Sequence, residues 1–284
     1  MIELYNEDCI EKLKELEENS VHAFISDIPY GIDYEDWDVL HKNSNSALGG
    51  SSEHQKELGS LFKRRGKPLN GWSSEDKKIA KEYQEWCSSW GEVLYKVLKP
   101  GASVLIFAGR RYAPRCVIAL EDIGFTFKDL IAWNKVPAPF RAQQVSKVFE
   151  RRGDIERAEE YQGLRLGNLA PTFEPILWFQ KPYKQGNTLT DTLIENGVGC
   201  FNGEILKKNI IECSSKIKEK YHPTQKPVEL MKILVELVTL ENQTVLDSFM
   251  GSGTTGVACK ELNRNFIGIE KNKKYFLDAK KRLS

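Results

Sequence analysis

Short runs of apolar and β-branched residues alternate along the chain with longer stretches in which apolar residues recur every three or four positions. The first pattern is typical of buried strands and the second of amphipathic helices. Strands are predicted at residues 21–26, 103–108, 126–133, 174–179, 244–247 and 265–269. Helices are predicted at residues 8–18, 75–98, 112–123, 227–240, 254–262 and 273–283. This alternation predicts an α/β fold, with a mostly parallel sheet covered by helices on both faces.

Three irregular segments interrupt the alternation. Residues 33–74 are rich in serine, asparagine, glycine and lysine, and residues 137–168 show no strand pattern. Residues 182–221 carry four glycines and separate the strand at 174–179 from the last third of the chain. Because loops of this length are uncommon inside a compact domain, we expect the first two segments to be insertions.

Composition narrows the class of protein. A chain of 284 residues that is 40% hydrophobic can bury one full core with room for inserted segments. Residues 1–10 lack the pattern of an export signal and the sequence has no run of 18 apolar residues, so we expect a soluble cytoplasmic protein with no membrane association. The six cysteines form no CxxC pair, which favours reduced thiols over a zinc site or disulfides, and no metal is expected.

A glycine-rich turn follows the predicted strand at 244–247. The sequence from Asp247 to Gly256 reads DSFMGSGTTG and leads into a predicted helix. Gly251 and Gly253 allow a close approach of the backbone to a ligand, and the free N–H groups at the start of the helix would face it. Glu270 ends the next predicted strand, where such folds bind ribose hydroxyls. Taken alone, the turn could equally belong to an ordinary α/β crossover with Glu270 in solvent.

A second constellation, Asp27-Ile28-Pro29-Tyr30, directly follows the predicted strand at 21–26. An amino group on a purine or pyrimidine ring is a poor nucleophile because its lone pair is delocalised, and two acceptors on its hydrogens can turn that lone pair toward an electrophile. The Asp27 carboxylate and the Ile28 carbonyl would be these acceptors, and Tyr30 offers a flat face for an extruded base. As an isolated tetrapeptide, these residues more often form a turn with the tyrosine in the core.

The early DIPY tetrapeptide and the late glycine motif together resemble the amino-methyltransferases of DNA, specifically the permuted β class. The resemblance implies S-adenosylmethionine as cofactor and a Rossmann-like fold with a seven-stranded, mostly parallel sheet. It also implies a catalytic domain made of residues 1–136 and 218–284, with 33–74 as an inserted loop region and 137–217 as a target-recognition insertion. Members of restriction–modification systems and orphan enzymes both fit.

Further residues carry the resemblance to the cofactor site. The sequence HPTQKP at 222–227 resembles the family motif that encloses the methionine part of the cofactor, with Lys226 near its carboxylate, although Thr224 could instead only cap a helix. Asp8, near the N-terminus, resembles the acidic residue that approaches the cofactor's adenine ring, although it could be only a helix cap. The expected cofactor-binding residues are Asp8, Cys9, Asp27, His222, Thr224, Gln225, Lys226, Asp247, Phe249, Gly251, Ser252, Gly253, Thr254, Thr255 and Glu270.

Two positions depart from the family pattern: Ile28 replaces the usual first proline of DPPY, and Ser248 replaces a common proline after Asp247. Only the Ile28 carbonyl is needed, so activity is expected to survive. The acidic Asp27 favours adenine over cytosine as the target, and amino-cytosine is the alternative. An RNA methyltransferase and a catalytically inactive DNA-binding relative are weaker alternatives. The order of the motifs disfavours a protein substrate, and the absence of a Pro-Cys dipeptide disfavours methylation of a cytosine carbon.

Double-stranded DNA is the expected partner, although the formal net charge is only +1. Contacts to phosphates and bases would therefore come from local clusters of basic and amide residues. The predicted DNA-binding residues are Lys63, Arg64, Arg65, Arg110, Arg111, Arg141, Gln143, Gln144 and Lys147. Each cluster could also be ordinary solvated surface. The resemblance further suggests a homodimer and a cognate restriction endonuclease as partners.

Overall fold

The computed structural model describes residues 1–31, 74–135, 142–217, 219, 221 and 224–284. The strands found there are β1 (Ile2–Tyr5), β2 (Val21–Asp27), β3 (Leu98–Phe107), β4 (Thr126–Asn134), β5 (Gln143–Gln144), β6 (Arg165–Leu166), β7 (Phe173–Gln180), β8 (Ile210–Glu212), β9 (Thr244–Asp247) and β10 (Asn265–Ile269). The helices are α1 (Cys9–Glu15), α2 (Ser74–Val97), α3 (Ala113–Ile123), α4 (Val145–Glu150), α5 (Ile155–Glu160), α6 (Leu189–Asn196), α7 (Val228–Val238), α8 (Thr254–Glu261) and α9 (Lys273–Leu283).

One sheet of eight strands organises the described residues, in the order β1-β10-β9-β2-β3-β7-β4-β8. The five strands from β1 to β3 in this order are parallel to one another. Strand β7 is antiparallel to both of its neighbours, β3 and β4, whereas β8 is parallel to β4. The sheet is therefore mostly parallel, as the alternating pattern predicted, with one reversed strand near its middle.

The sheet carries helices on both faces because its strands are apolar on both sides. Along β2, Phe24 packs into one core cluster, while its neighbours Ala23 and Ile25 pack into the other. Helices α1, α2 and α3 contribute to the first cluster, in which Trp90 is fully buried. Helices α7, α8 and α9 contribute to the second. Continuous apolar runs are what strands buried on both faces require.

Several predicted boundaries change in the structure. The predicted helix 8–18 is shorter: Asp8 caps α1 by accepting a hydrogen bond from the Ile10 amide (3.0 Å), and the backbone becomes extended at Leu16. The predicted helix 227–240 is also shorter. Helix α7 has Pro227 rather than Thr224 at its N-cap, and the backbone becomes extended at Thr239. Both helices end where the backbone angles leave the helical region, and these angles set the helix ends more closely than the apolar pattern does.

Two larger predictions need correction. The sheet has eight strands in the described residues rather than seven, since the short strands β1 and β8 join its two edges. The boundaries 137–217 for a target-recognition insertion are too wide, because they include β7 and β8, which belong to the main sheet. Residues 142–166 form a small unit outside that sheet, in which β5 pairs with β6 and α4 packs against α5. The sequence showed no strand pattern at residues 137–168, and this expectation was wrong: two short strands, β5 and β6, form there.

The inserted loop region 33–74 and residues 136–141 lie outside the described residues, apart from Ser74, the first residue of α2. Within the parts of the chain that the structure describes, no helix combines the length and apolar character needed to cross a lipid bilayer.

Candidate active site

The two constellations singled out in the sequence meet at one edge of the sheet. Asp27 ends β2 and Asp247 ends β9, and these strands are parallel neighbours, so both carboxylates reach the same edge. Glu270 follows β10, the next parallel strand. A cavity of about 1110 Å³ opens here, lined by the tetrapeptide 27–30 and by Gly251 of the glycine turn. Its volume slightly exceeds the roughly 300–1,000 Å³ usual for ligand sites.

Most of the predicted cofactor residues line this cavity. They are Asp8, Cys9, Asp27, Thr224, Gln225, Lys226, Asp247, Phe249, Gly251, Ser252, Thr254, Thr255 and Glu270. Gly253 is not among the lining residues, and His222 lies outside the described residues. Burial raises the pKa of the Cys9 thiol to about 12, so this cysteine is a neutral wall of the cavity.

Asp247 organises the start of the glycine turn. Its carboxylate accepts hydrogen bonds from the Ser26 hydroxyl (2.6 Å), the Thr255 hydroxyl (2.6 Å) and the Phe249 amide (3.1 Å). Burial nevertheless raises the pKa of Asp247 to about 6, because the hydrogen bonds compensate only in part for the lost hydration of the charge. Asp247 therefore ties β2, the turn and α8 together and works as a structural anchor of the turn.

Glu270 fixes the other side of the turn. One of its carboxylate oxygens accepts from the Gly251 amide (3.0 Å) and the other from the Asn272 amide (2.6 Å). Burial raises the pKa of Glu270, and these two bonds oppose the rise. The residue is thus bonded and only partly exposed, not free in solvent. Each oxygen retains a lone pair that could accept a hydroxyl group.

The two glycines of the turn have different tasks. Gly253 has a φ of +78°, and an added Cβ would lie 3.0 Å from the Cβ of Ala279 on α9. It therefore serves the turn and the packing of α9. Gly251 also has a positive φ, 52°, but it lines the cavity. The Ser248 hydroxyl in the cavity wall is buried and has no hydrogen-bond partner among the described residues, as expected at a site shaped for a polar ligand.

The tetrapeptide has its polar groups directed toward Lys226. The Tyr30 hydroxyl donates to Asp27 (2.9 Å), and the Lys226 ammonium donates to the other Asp27 oxygen and to the Tyr30 hydroxyl (3.3 Å). The Pro29 carbonyl accepts from the Tyr83 hydroxyl (3.2 Å). Ile28 lines the cavity although the residue is only 1% exposed. Tyr30 thus lines the cavity, where a base could stack on it, rather than packing in the core as in the alternative interpretation.

Sequence reasoning missed two charged residues at this edge, Glu174 and Lys135. Glu174 lies at the start of β7 and binds Lys226 (3.0 Å), Lys135 and the Tyr30 hydroxyl. Lys135 follows β4, whose Trp133 is in register with Glu174. A glutamate inside the apolar run FEPILWF and a lysine directly after LIAWN were the available signals, since a charge next to a buried strand needs a partner.

The pKa values of Asp27, Glu174 and Lys226 are shifted by burial and by neighbouring charges. Burial raises the pKa of Asp27 against the opposing pull of the Lys226 charge. Burial also acts to raise the pKa of Glu174, but Lys226 and Lys135 outweigh it and bring the pKa down to about 2. The pKa of Lys226 is raised, because Asp27 and Glu174 together exceed the effect of its burial. Glu174 and Lys226 are therefore charged at neutral pH.

All three N–H donors of the Lys226 ammonium can be used by Asp27, Glu174 and the Tyr30 hydroxyl. The predicted contact of Lys226 with a cofactor carboxylate would therefore require one of these bonds to be exchanged. That contact stays a prediction. Asp8, in contrast, caps α1 and also lines the cavity, where it pairs with Lys271 (3.0 Å).

The predicted DNA-binding residues fall into separate groups. Lys63, Arg64, Arg65 and Arg141 lie outside the described residues. Arg110 is exposed and Arg111 partly exposed, directly after Gly109, which packs against Tyr30 at the rim of the site. Gln143 and Gln144 form β5, and Lys147 is exposed on α4. The structure thus brings one basic pair close to the cavity and places the other residues in the small unit 142–166.

Known proteins resemble this chain over its whole length. The model of the N6/N4 methyltransferase family, described as DNA methylase, matches residues 21–281. The type II methyltransferase M.HindIII of Haemophilus influenzae is 56% identical over 292 aligned positions, covering 99% of this chain and 94% of that protein. The crystal structure of an M1.HpyAVI–SAM complex is 27% identical with a TM-score of 0.59, covering 100% of both chains.

A second solved structure supports the fold alone. The PvuII DNA methyltransferase, described as cytosine-N4-specific, has a TM-score of 0.62 at 19% identity, covering 100% of this chain and 86% of that one. The match to the family model is a match of sequence, and it spans residues 21–281, which include both the tetrapeptide and the glycine turn. The chain belongs to the N6/N4 DNA methylase family.

Proposed function

We propose that the protein transfers a methyl group from S-adenosylmethionine to the exocyclic amino nitrogen of adenine in double-stranded DNA, acting on a base extruded from the duplex. The observation that carries this proposal is that Asp27 and Gly251 line one cavity, although 224 positions separate them in the sequence. An acceptor for amino hydrogens and a turn suited to a nucleoside cofactor thus border the same cavity.

The described residues fit the proposed cofactor. Glu270 keeps lone pairs for ribose hydroxyls, Gly251 brings backbone close to the ligand, and the unpartnered Ser248 hydroxyl offers a further polar group. Asp8 and Phe249 complete the wall on this side. When bound, the cofactor supplies an electrophilic methyl group on a sulfonium centre.

The tetrapeptide orients the amino group for attack. Asp27 and the Ile28 carbonyl accept its two hydrogens, so that the nitrogen lone pair points out of the base plane. The Pro29 carbonyl is already bonded to Tyr83, which leaves the Ile28 carbonyl as the second acceptor (Tyr83 to Pro29, 3.2 Å). With the cofactor bound, its methyl group would pass to the amino nitrogen and leave the sulfur uncharged, and the Asp27 carboxylate would accept the proton that the nitrogen loses. Holding both reactants in place supplies much of the rate.

Adenine is proposed as the target because the first residue of the tetrapeptide is acidic, which in this family tends to accompany adenine. The fold itself does not choose the base. The acidic residue is held by Lys226 and Tyr30 (2.9 Å from the Tyr30 hydroxyl), so Asp27 presents a fixed oxygen to the cavity.

A radiolabelled methyl transfer assay tests the proposal. Purified protein is incubated with labelled S-adenosylmethionine and either unmethylated duplex DNA or RNA, and the products are digested to nucleosides. Label in N6-methyladenine from DNA is the expected result, and the Asp27→Ala variant is expected to bind cofactor but lose transfer by about 10³-fold. Label in N4-methylcytosine, label in RNA alone, or retained transfer by the variant would contradict the proposal.

The residues that contact DNA and the protein partners are proposed on the basis of the same family resemblance. We propose that Arg110, Arg111 and the unit 142–166 with Gln143, Gln144 and Lys147 contact the DNA, with that unit reading the target sequence. We also propose a cognate restriction endonuclease of the same specificity, in keeping with the type II class of the relative. A cytoplasmic location and a homodimer are proposed on the family resemblance alone. Mapping methylated positions in DNA exposed to the protein would define the recognised sequence.

A further inference from the structure

Glu174 is the one charged residue of strand β7, whose other residues are apolar except for Gln180 at its end, and the proposed methyl transfer assigns it no task. Every residue of β7 after Phe173 is buried, including Glu174, whose side chain is 10% exposed. A buried carboxylate is costly unless charged partners and hydrogen bonds compensate for its lost hydration. Its partners are Lys135, Lys226 (3.0 Å) and the Tyr30 hydroxyl.

The reversed direction of β7 brings Glu174 to the catalytic edge. In the parallel strands, the residues at the carboxyl ends, such as Asp27, reach this edge. Because β7 is antiparallel to β3, its first residues reach the same edge instead. Lys135 arrives from the carboxyl end of β4, next to Glu174. Glu174 lies 147 positions after Asp27 in the sequence, but Tyr30 and Lys226 each bond to both carboxylates and so connect them.

A purely structural ion pair is the simplest alternative explanation. Buried ion pairs are, however, weak contributors to stability compared with apolar residues of similar volume. All three partners of Glu174 line the cavity, and two of them, Tyr30 and Lys226, are bonded directly to Asp27. The location of the network next to the tetrapeptide is therefore better explained by the chemistry of the site.

We propose that Glu174 is a positioning residue: it holds the Tyr30 hydroxyl and the Lys226 ammonium against Asp27, and Lys135 anchors Glu174 from the other side. This inference rests on the proposed methyl transfer. The Tyr30 hydroxyl has one hydrogen, which two carboxylates share, and Lys226 bridges the same two groups. Glu174 thereby fixes both the ring that receives the base and the carboxylate that accepts the amino hydrogen.

The charge of Glu174 also acts on Asp27. The groups that face Asp27 are Lys226, Tyr30 and Glu174, and Asp247 on β9 lies close enough to interact electrostatically. Burial and the negative charge of Glu174 raise the pKa of Asp27, whereas Lys226 lowers it. Removal of the Glu174 charge should therefore lower the pKa of Asp27. The ionised, active form of Asp27 would then persist to lower pH. In a plot of the transfer rate against pH, the acid limb, where the rate falls on acidification, would therefore move to lower pH.

The Glu174→Gln variant of the full chain tests this inference. The rate of methyl transfer in a single turnover is measured on duplex DNA with a mapped target site, at saturating S-adenosylmethionine and across a range of pH. We expect the rate to fall by about 10- to 100-fold, because small displacements of catalytic groups have effects of this size. Cofactor affinity should change by less than about threefold, since Glu174 is bonded to none of the turn residues and Lys226 would keep its bonds to Asp27 and the Tyr30 hydroxyl. The acid limb should move to lower pH.

A matched control is Glu261→Gln, which removes a partly exposed ion pair with Lys232 (3.2 Å) outside the cavity and should leave the rate and the pH profile unchanged. Tyr30→Phe gives a second readout: Glu174→Gln should cost less in that background, because both changes remove the same bond. If Glu174→Gln does not fold, Lys135→Gln, which removes a partner that is 27% exposed, should reduce the rate with cofactor affinity retained.

The results separate the inference from the function on which it rests. An unchanged rate in Glu174→Gln, or a lower rate with equally weakened cofactor binding and an unchanged pH profile, would overturn the positioning role while the wild type remains active. A folded Lys135→Gln with the wild-type rate would do the same if it is the variant tested. Absence of transfer by the wild type on any DNA would remove the proposed function, and the inference with it.

Discussion

Gly109 offers a direct test of how closely Tyr30 must be placed. It follows β3 at the catalytic edge, and its backbone angle is one that any residue can adopt, so an added methyl group brings no backbone strain. A Cβ at this position would lie 2.8 Å from the Tyr30 Cβ, 2.9 Å from Cγ and 3.2 Å from Cδ2. The Gly109→Ala variant therefore forces Tyr30 or the β3 terminus to move.

The size of the displacement follows from these distances. Carbon atoms in contact are normally about 3.5–4.0 Å apart, so the 2.8 Å contact must lengthen by roughly 0.7 Å. Tyr30 is held by its hydroxyl at Asp27 (2.9 Å) and at Glu174, so the ring is expected to tilt about that end. A shift approaching 1 Å at a catalytic group costs on the order of 100-fold in rate. Overpacking of a buried site costs about 1–3 kcal/mol in stability.

Single-turnover methyl transfer at saturating cofactor is the appropriate assay. We expect Gly109→Ala to lower the rate by about 10- to 100-fold while cofactor affinity stays within about threefold of the wild type. Gly203→Ala is the matched control, since its added Cβ would meet only the Phe201 ring, at 3.9 Å. A wild-type rate in Gly109→Ala would refute the reasoning, as would a loss explained entirely by unfolding at the assay temperature.

Two further predictions concern the cofactor turn. Glu270→Gln keeps the shape but places an amide donor against the amides of Gly251 or Asn272, so cofactor affinity measured by fluorescence titration should fall by about 10-fold or more, and an unchanged affinity would contradict this role. Burial raises the pKa of Asp247 from 3.8 to about 6, so its stabilising contribution is complete below pH 3.8 and is lost as the pH rises through 6. Asp247→Asn lacks this titration. Between pH 4 and pH 7, urea unfolding should therefore show the free energy of unfolding of the wild type falling by about 2 kcal/mol relative to that of the variant, and parallel pH dependences of the two proteins would contradict this prediction.

The sequence alone determined most of the edge at which the site forms. Apolar runs located six of the eight strands of the main sheet, and the rule that parallel strands bring their carboxyl ends together placed Asp27, Asp247 and Glu270 at one edge. These inferences succeed because each depends on a local pattern: a short buried strand, a turn residue and a carboxylate next to it. The short strands β1 and β8 escaped detection because four and three residues carry too little periodicity.

Only the tertiary structure decided the electrostatic network. The apolar run of β7 looks the same in either strand direction, and its reversal is what brings Glu174 to the edge beside Asp27. Likewise, nothing local to Lys226 shows that its ammonium meets a carboxylate 199 positions earlier. Strand direction and ion-pair partners are set by the packing of the whole chain, which no short window of sequence contains.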